Sequence, residues 1–390
     1  MTGQFPAAGA QLRPLRVALV TSSYNYLRDG IALTLNQLVG YLERQGVEVL
    51  VFAPVADKPA FAHKGAIVEI PSIALPPRPE YRMALGLPRA ARRRLDEFRP
   101  DIIHVAVPDL LGHGALRYGR SRNIPVVASY HTRYESYMQH YWFAAIRRPL
   151  AAYLRNFYAT CRELYVPSPS MIEQLRAEGQ QGTMRLWMRG VDTALFDPAR
   201  RSADWRRRYG IAPDECVILF TGRLVREKQI GLLPDIAERL AAAGIACRML
   251  IVGDGPDRAA LEARLPNAVF AGFLVGDELA AAYASSDIFL FPSDTETFGN
   301  VTLEAMASGL PCVCADATGS RSLVEEGVTG FLVPTGDVDA YAARLALLVR
   351  DTDLRARMGE AGRARAMGFS WDGVMGRMLG YYRAVCGAPS

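Results

Sequence analysis

The sequence lacks the features that mark a membrane-spanning protein or one built on disulfides. No uncharged apolar run reaches the roughly 18 residues that a transmembrane helix needs. Residues 1–16 contain no apolar core of a signal peptide, so we expect a short disordered lead there. The six cysteines form no C-x-x-C pair. They predict reduced core residues rather than a zinc site or a disulfide framework, and with them a cytoplasmic location.

The chain also has too little net charge for a nucleic-acid binder and no acidic cluster for a metal ion. Lysine and arginine number 45 against 40 aspartates and glutamates, and the net charge of +5 predicts no nucleic-acid partner. Asp351-Thr-Asp353 has a D-x-D form that can hold manganese. It lies between two predicted helices, where capping the second helix is the better interpretation. We therefore predict no metal site and no cofactor.

What the sequence does contain is an alternation of strands and helices. Residues 15–21 predict a buried strand, 31–45 an amphipathic helix and 47–53 a second strand, which is a Rossmann-type βαβ start. Residues 71–88 are rich in proline and are predicted to be irregular. Residues 217–333 then contain a second series of apolar runs, about six parallel strands. With 390 residues, the chain is predicted to form two α/β domains.

The most informative stretch runs from Phe291 to Pro311. It leaves an apolar strand, crosses a polar loop and enters a predicted helix at Asn300. Loops at the carboxyl ends of parallel strands bind ligands in open α/β sheets, and a helix start offers backbone N–H groups to phosphate or sugar oxygens. Glu296 and Glu304 bracket the turn, so both can face one ligand. An isolated pair would be interpreted as two surface acids, but the complete stretch argues against that.

The string F-P-S-x-x-E-T-F-G-x-x-x-L-E-A-M-A-x-G-x-P resembles the donor-site signature of retaining glycosyltransferases of family 4. The resemblance implies the GT-B fold, an α/β architecture of two Rossmann-like domains facing each other across a cleft, with a C-terminal helix crossing back to the first domain. It also implies that Glu304 binds the ribose hydroxyls of a sugar nucleotide and that Glu296 binds the donor sugar. The backbone groups expected to bind the donor belong to Phe298, Gly299, Asn300 and Val301.

A second motif follows the predicted strand at 217–221. Gly222-Arg223-Leu-Val-Arg-Glu-Lys228 puts two cations beside a helix N-terminus, where they can neutralise a diphosphate. It resembles the family's G-R-L-x-x-E-K, in which the arginine and the lysine bind donor phosphates, so Arg223 and Lys228 take those roles. The turn that begins at Gly253 resembles the family's G-x-G-P loop, and a plain strand–helix connection explains it equally well.

The first half of the chain matches the family more loosely. Family members often carry a Gly-Gly pair after the first strand, close to the donor phosphates or the acceptor, and here only Gly30 is present. His131 follows a predicted strand and matches a histidine that lies near the donor sugar, while a purely structural histidine is the alternative. Residues 188–198 resemble the interdomain segment G-V-D-x-x-x-F. We expect an acceptor domain, a donor domain and a returning helix at residues 1–193, 194–368 and 369–390.

Two basic stretches leave contact with a membrane open. The run Arg89–Arg99 is either a solvated helix face or a contact with an anionic surface. Residues 137–161 place apolar side chains at helical spacing, with arginines on another side and interface-favouring aromatics, and Pro149 predicts two helical pieces. A packed core helix and a surface that touches lipid both remain. The second interpretation adds an anionic membrane partner and a peripheral location on the inner face of the cell membrane.

Together these expectations predict a retaining hexosyltransferase that needs no metal and acts on a hydroxyl of a lipid or glycolipid. Mannose from GDP-mannose is the preferred donor, because residues 29–39 and 131–137 are similar to those of GDP-mannose-dependent α-mannosyltransferases and related glycolipid synthases. The alternatives are a UDP-sugar-dependent glycolipid transferase (glucosyl, glucuronosyl or similar) and a catalytically idle sugar-nucleotide-binding module. An epimerase of this fold lacks the glutamate pair, and a phosphorylase needs a phosphate or pyridoxal site that we do not find.

Overall fold

The computed structural model describes residues 13–26, 29–56, 58–75, 78–131 and 144–387. The chain forms two compact units. The first unit comprises the described residues up to Ser129, residues 161–163 and those from Met378 onward, and the second comprises the described part of 130–160 with 164–377. Both are built on parallel strands and helices, which confirms the predicted α/β class.

The first unit is organised around its first strand. Its strands are β1 (Arg16–Val20), β2 (Glu48–Ala53), β3 (Ala66–Glu69), β4 (Ser72–Leu75), β5 (Arg78–Ala84), β6 (Ile102–Val105) and β7 (Val126–Ser129). Five of them pair in parallel in the order β3-β2-β1-β6-β7. Val17 pairs with Val49 on one side and Ile102 on the other, and all three side chains are buried. Apolar runs of this kind are expected where helices cover both faces of a parallel sheet.

The helices of the first unit include the one predicted at residues 31–45, which begins one residue earlier than expected. They are α1 (Gly30–Arg44), α2 (Arg89–Phe98) and α3 (Leu110–Ser121). Asp29 caps α1 by accepting a hydrogen bond from the backbone N–H of Ala32 at 2.7 Å. Residues 378–387 also belong to this unit, where the Tyr382 hydroxyl lies 2.5 Å from His104 Nδ1. Burial lowers the pKa of His104 to about 3, so this histidine is neutral.

The prediction that residues 71–88 are irregular is wrong. β4 and β5 form an antiparallel pair in which Ser72 lies opposite Ala84. Pro79 belongs to β5. A two-stranded pair has an outer edge that needs no ladder hydrogen bonds, and proline, which lacks the N–H donor, is tolerated there.

The second unit contains the larger number of elements. Its strands are β8 (Leu164–Val166), β9 (Met184–Leu186), β10 (Val217–Thr221), β11 (Arg248–Val252), β12 (Val269–Gly272), β13 (Ile288–Phe291), β14 (Cys312–Ala315) and β15 (Gly330–Val333). β8 pairs with β9 in parallel. The other six form a parallel sheet in the order β12-β11-β10-β13-β14-β15, which confirms the predicted six strands.

The helices of this unit alternate with its strands up to β15, and three helices follow that strand. Its described helices, numbered on from the first unit, are α4 (Ala144–Thr160), α5 (Pro169–Ala177), α6 (Ala203–Arg208), α7 (Leu232–Ala242), α8 (Arg258–Arg264), α9 (Gly276–Ala284), α10 (Asn300–Ala307), α11 (Thr318–Leu323), α12 (Val338–Arg350), α13 (Thr352–Ala366) and α14 (Trp371–Val385). The last helix runs on into the first unit at Met378. Asp351 accepts from the backbone N–H of Leu354 at 2.8 Å, so it caps α13 as predicted.

The amphipathic stretch 137–161 is described only in part, because residues 137–143 lie outside the described ranges. Pro149 lies inside α4, so the expected break into two pieces is wrong within the described residues. Leu154, Phe157 and Tyr158 are buried. The side chains at positions 148, 155 and 162, all arginines, are exposed. The helix therefore has a packed face and a basic face, and none of the helices in the described ranges is long and apolar enough to cross a membrane.

Candidate active site

Three loops at the carboxyl ends of β10, β11 and β12 are joined by backbone hydrogen bonds. The N–H of Gly222 donates to Val252 O at 3.0 Å, and the N–H of Gly253 donates to Gly272 O at 2.8 Å. A Cβ on Gly253 would lie 1.9 Å from the carbonyl oxygen of Gly222. Only glycine permits this approach. The predicted glycines 222 and 253 therefore lie side by side, at the edge of the sheet where ligands bind in this class of fold.

The predicted cation Lys228 meets the predicted carboxylate Glu296. Lys228 ends a 3₁₀ turn, Arg226–Lys228, after β10, and Glu296 lies in the loop after the neighbouring strand β13. Their charged atoms form a close ion pair, with 16% and 20% of the side chains exposed. Arg223 is more exposed, at 43%, and lies 3.7 Å from Glu227. The structure thus brings together the side chain predicted to bind phosphate and the side chain predicted to bind the sugar, although they are 68 positions apart in the chain.

The helix after this loop begins without a side-chain cap. Gly299 precedes α10 with a φ of +100°, in the left-handed region, and no side chain accepts a hydrogen bond from the first turn. The first backbone N–H groups of a helix have no partner inside the helix, and here they belong to Asn300, Val301 and Thr302. Phe298 is buried and holds the loop against the unit. The segment predicted to bind the donor therefore has the geometry of an anion-binding helix start.

Glu304 lies one turn into α10 and is held by a tyrosine that the sequence did not single out. The Tyr283 hydroxyl donates to Glu304 Oε2 at 3.0 Å and lies 3.3 Å from Val301 O. Tyr283 is fully buried, and its ring packs edge-on against Phe196 with a centroid distance of 5.5 Å. Burial raises the pKa of Glu304 to about 7, and the hydrogen bond from Tyr283 opposes that rise. Nothing in the local sequence distinguishes Tyr283 from an ordinary core residue.

His131 also reaches the loop that contains Glu296. The Thr297 hydroxyl donates to the carbonyl oxygen of His131 at 3.2 Å. The ring of His131 is buried, lies edge-on to Trp187 at 5.3 Å and accepts a hydrogen bond at Nδ1 from Arg189 at 2.8 Å. Trp187 and Arg189 were not predicted as site residues. Their only signal is their position just before the G-V-D segment.

Gly30, the predicted site residue after the first strand, belongs to the first unit. It is the first residue of α1, directly after the cap Asp29. The Ser23 hydroxyl donates to Asp29 Oδ2 at 3.1 Å. The surroundings of Gly30 are therefore a capped helix start with acidic and hydroxyl side chains.

Other features of the described residues carry no site. No group of three or more His, Cys, Asp or Glu side chains in the described ranges is arranged to hold a metal ion. A cavity of about 440 Å³ lies between α7 and α8, with Arg226, Gln229 and Leu261 among its lining residues. None of the predicted site residues lines it. All six cysteines are free, and Cys312 and Cys314 are buried in β14.

Two family models match the chain. The model described as Glycosyltransferase Family 4 matches residues 28–195, and the model described as Glycosyl transferases group 1 matches residues 201–365. The chain belongs to family 4 of the glycosyltransferases and is a hexosyltransferase. This confirms the resemblance found in the donor-site motif.

Curated relatives cover nearly all of the chain. A GDP-mannose-dependent alpha-mannosyltransferase of Mycobacterium tuberculosis is 37% identical over 381 residues, 96% of this chain and 97% of the relative. A sulfoquinovosyl transferase of Arabidopsis thaliana is 34% identical over 92% of this chain and 71% of its own length. An alpha-monoglucosyldiacylglycerol synthase of Acholeplasma laidlawii is 25% identical over 81% of this chain and 84% of the relative.

Solved structures show the same fold. A sucrose-phosphate synthase of Thermosynechococcus elongatus has a TM-score of 0.80 at 22% identity, covering 96% of this chain and all of that one. Anabaena HepE in complex with UDP-glucose has a TM-score of 0.74 at 20% identity, covering 95% of this chain and all of that one. The chain has the two Rossmann-like, parallel-sheet domains of GT-B glycosyltransferases.

Proposed function

We propose that the protein transfers mannose from GDP-mannose to a hydroxyl of a lipid or glycolipid, with retention of the anomeric configuration. The observation that carries the proposal is the meeting of Lys228, Glu296 and His131 around one loop, with Glu304 on the helix that follows it. The whole-length likeness to a GDP-mannose-dependent alpha-mannosyltransferase supports the choice of donor.

The chemistry requires orientation of the donor and stabilisation of its leaving diphosphate, because the C1–phosphate bond of a sugar nucleotide is already activated. Arg223 and Lys228 supply positive charge to the diphosphate, and we assign them that role without a metal ion. The loop at Gly222 and Gly253 brings the backbone close to the ligand. The backbone groups that complete this cradle belong to Phe298, Gly299, Asn300 and Val301.

Three side chains orient the rest of the donor. Glu304 accepts hydrogen bonds from the ribose hydroxyls, and these bonds favour its ionised form against the effect of burial. Glu296 accepts from the hydroxyls of the sugar. Because Lys228 is its ion-pair partner, sugar and diphosphate binding are linked through one pair of side chains. His131 contacts the sugar from its place against Thr297.

We assign the acceptor to the first domain, residues 1–193, and the donor to residues 194–368, with residues 369–390 as the returning helix. The two family models end and begin at residues 195 and 201, which supports a boundary near Thr193. Gly30, at the start of α1, is assigned to the acceptor or to the donor phosphates.

A panel of GDP-, UDP- and ADP-sugars with total membrane lipid as acceptor tests the donor. We expect GDP release and a mannosylated lipid, identified by mass spectrometry. UDP release without GDP release would refute mannose transfer from GDP-mannose. It would support the second candidate function, a UDP-sugar-dependent glycolipid transferase. The Acholeplasma relative named as a monoglucosyldiacylglycerol synthase supports the glucosyl-lipid product of that candidate. If the protein bound a donor but showed no turnover with any acceptor, the remaining interpretation would be a catalytically idle sugar-nucleotide-binding module.

A peripheral contact with the inner face of the cell membrane is the second part of the proposal. The arginines of α2 at positions 89, 92, 93 and 94 are exposed, and Leu85 just before the helix is 58% exposed. Each basic residue near an anionic surface contributes about 1 kcal/mol, and salt weakens the attraction.

Co-sedimentation with anionic and neutral vesicles at two salt concentrations measures this contact. The double reversal Arg92→Glu/Arg93→Glu is expected to release the protein from anionic vesicles. The matched control, Arg239→Glu/Arg357→Glu, changes the net charge equally on two other exposed helices. Equal release by both pairs would show a general charge effect rather than a contact through α2.

A further inference from the structure

Arg189 is a buried cation with an unusual set of partners. Its side chain is only 5% exposed, and it has no carboxylate partner in the described ranges. One guanidinium nitrogen, Nη1, donates to Trp187 O at 3.0 Å, and the other, Nη2, donates to His131 Nδ1 at 2.8 Å. The guanidinium carbon lies 5.1 Å from the centre of the Trp187 ring, in cation–π contact. Burial lowers the pKa of Arg189 to about 10, so the group remains charged at neutral pH.

This contact determines which nitrogen of His131 carries the proton. A guanidinium has five N–H donors and no acceptor, so His131 Nδ1 must accept the hydrogen bond with its lone pair. The proton of a neutral imidazole then lies on Nε2. In a doubly protonated ring, the Nδ1–H of His131 would face an N–H of Arg189 at 2.8 Å, and both groups would be positively charged. This distance therefore excludes the doubly protonated ring.

The ring and the backbone of His131 are held at the same time. Trp187 packs edge-on against the ring at 5.3 Å, and Thr297 donates to the backbone carbonyl of His131. Thr297 is the neighbour of Glu296 in the donor loop. His131 is therefore held by Arg189 through its ring and by the donor loop through its backbone.

We propose that Arg189 is a positioning residue that holds His131 as the neutral Nε2–H tautomer, so that Nε2–H donates a hydrogen bond to an oxygen of the bound sugar nucleotide. The ligand side of this inference rests on the proposed function. The tautomer itself is a property of the protein without substrate, and it can be measured separately.

The first test is nitrogen NMR of the full-length protein labelled with ¹⁵N-histidine. The chain has five histidines, and the signals of His131 are those missing in His131→Asn. We expect a protonated Nε2 and an unprotonated Nδ1 in the wild type at pH 7. Arg189→Met is expected to give a mixture of tautomers, and Arg189→Lys to retain part of the Nε2–H form, because lysine is a donor without the planar fork. A wild-type ring protonated on Nδ1 would overturn the inference, and this outcome does not depend on the folding of an Arg189 variant.

The second test is a double-mutant cycle on transfer. Arg189→Met is expected to lower kcat/KM about 10- to 100-fold, mostly in kcat, and to change it less than threefold when His131 is already alanine. If the effects of Arg189→Met and His131→Ala on kcat/KM were fully additive, Arg189 would not act through His131. An Nε2–H tautomer in a protein that transfers no sugar from any donor would support the positioning by Arg189 and refute the proposed function instead.

Discussion

The two parallel sheets have the same architecture but opposite chemistry where their first strands end. In the first unit, the loop after β1 contains Ser22 and Asp29, and Asp109 follows the neighbouring strand β6. The Ser22 hydroxyl donates to Asp109, whose pKa is raised by burial against several hydrogen bonds. In the second unit, the loop after β10 contains Arg223 and Lys228 instead.

This difference shows that the fold offers a ligand edge twice and that side chains decide which ligand each edge can take. A diphosphate is favoured beside Arg223 and Lys228 and disfavoured beside the partly buried carboxylates Asp29 and Asp109. Hydroxyl groups, in contrast, donate well to Asp29 and Asp109. The comparison supports the proposed assignment of the donor to the second domain and of the acceptor to the first.

The largest expected effect comes from closing the glycine approach in the second unit. Gly253→Ala would place a Cβ 1.9 Å from the carbonyl oxygen of Gly222, so the loops after β10 and β11 must separate. We expect a loss of stability on the order of 3 kcal/mol and loss of donor binding. Gly231→Ala is the matched control, because its backbone is helical and nothing lies within 4 Å of the added Cβ. Thermal unfolding of both variants decides; equal melting temperatures would contradict the prediction.

Removing a charged side chain assigned to the donor at the second edge is expected to reduce transfer next most strongly. Arg223→Ala and Glu304→Gln should each lower kcat/KM about 10- to 150-fold with the fold intact, since a charged hydrogen bond contributes about 1.5–3 kcal/mol. Arg226→Ala, an exposed arginine between Arg223 and Lys228, is the control. Circular dichroism and turnover on purified variants measure this. Near-normal turnover in Arg223→Ala or Glu304→Gln would remove the assigned role.

A smaller effect is expected on thermal stability, which Glu304→Gln should increase rather than decrease. The folded-state pKa of Glu304, about 7, lies above its ordinary value of 4.5, so the folded protein holds the proton more tightly than the unfolded chain. The contribution of Glu304 to the free energy of unfolding therefore falls as pH rises from about 4.5 to about 7. Above pH 7 the desolvated carboxylate destabilises the folded protein by its full amount. Glu304→Gln should therefore raise the melting temperature at pH 8 by roughly 1–4 °C and leave it unchanged at pH 4. A decrease at pH 8 would contradict the pKa assignment.

The smallest expected effect is that of a chelator. Because Arg223 and Lys228 are assigned the role of a metal ion, excess EDTA should leave transfer unchanged. Turnover with and without EDTA, followed by addition of manganese, measures this. Complete loss that manganese restores would show that the cations do not suffice.

The donor loop could be predicted from the sequence because it is a local structure. A strand end, a polar turn and a helix start lie within the 21 residues Phe291–Pro311, and the spacing of Glu296 and Glu304 follows from that path. The pairing of β4 with β5 could not be predicted, since it depends on a tertiary contact of a strand that contains Pro79. The unbroken α4 at Pro149 was missed for a similar reason, because packing of Leu154 and Phe157 offsets the lost hydrogen bond.

By itself, the sequence determined the family, the α/β alternation and the identity of the charged residues at the second sheet edge. These follow from residue types at short spacing, which local backbone preferences translate directly into strands, turns and helix starts. Only the tertiary structure decided the partners: Lys228 with Glu296, Tyr283 with Glu304, and Arg189 with His131. Each pair joins residues that are distant in the chain, and they meet because the order of the strands and the packing of the loops bring their ends together.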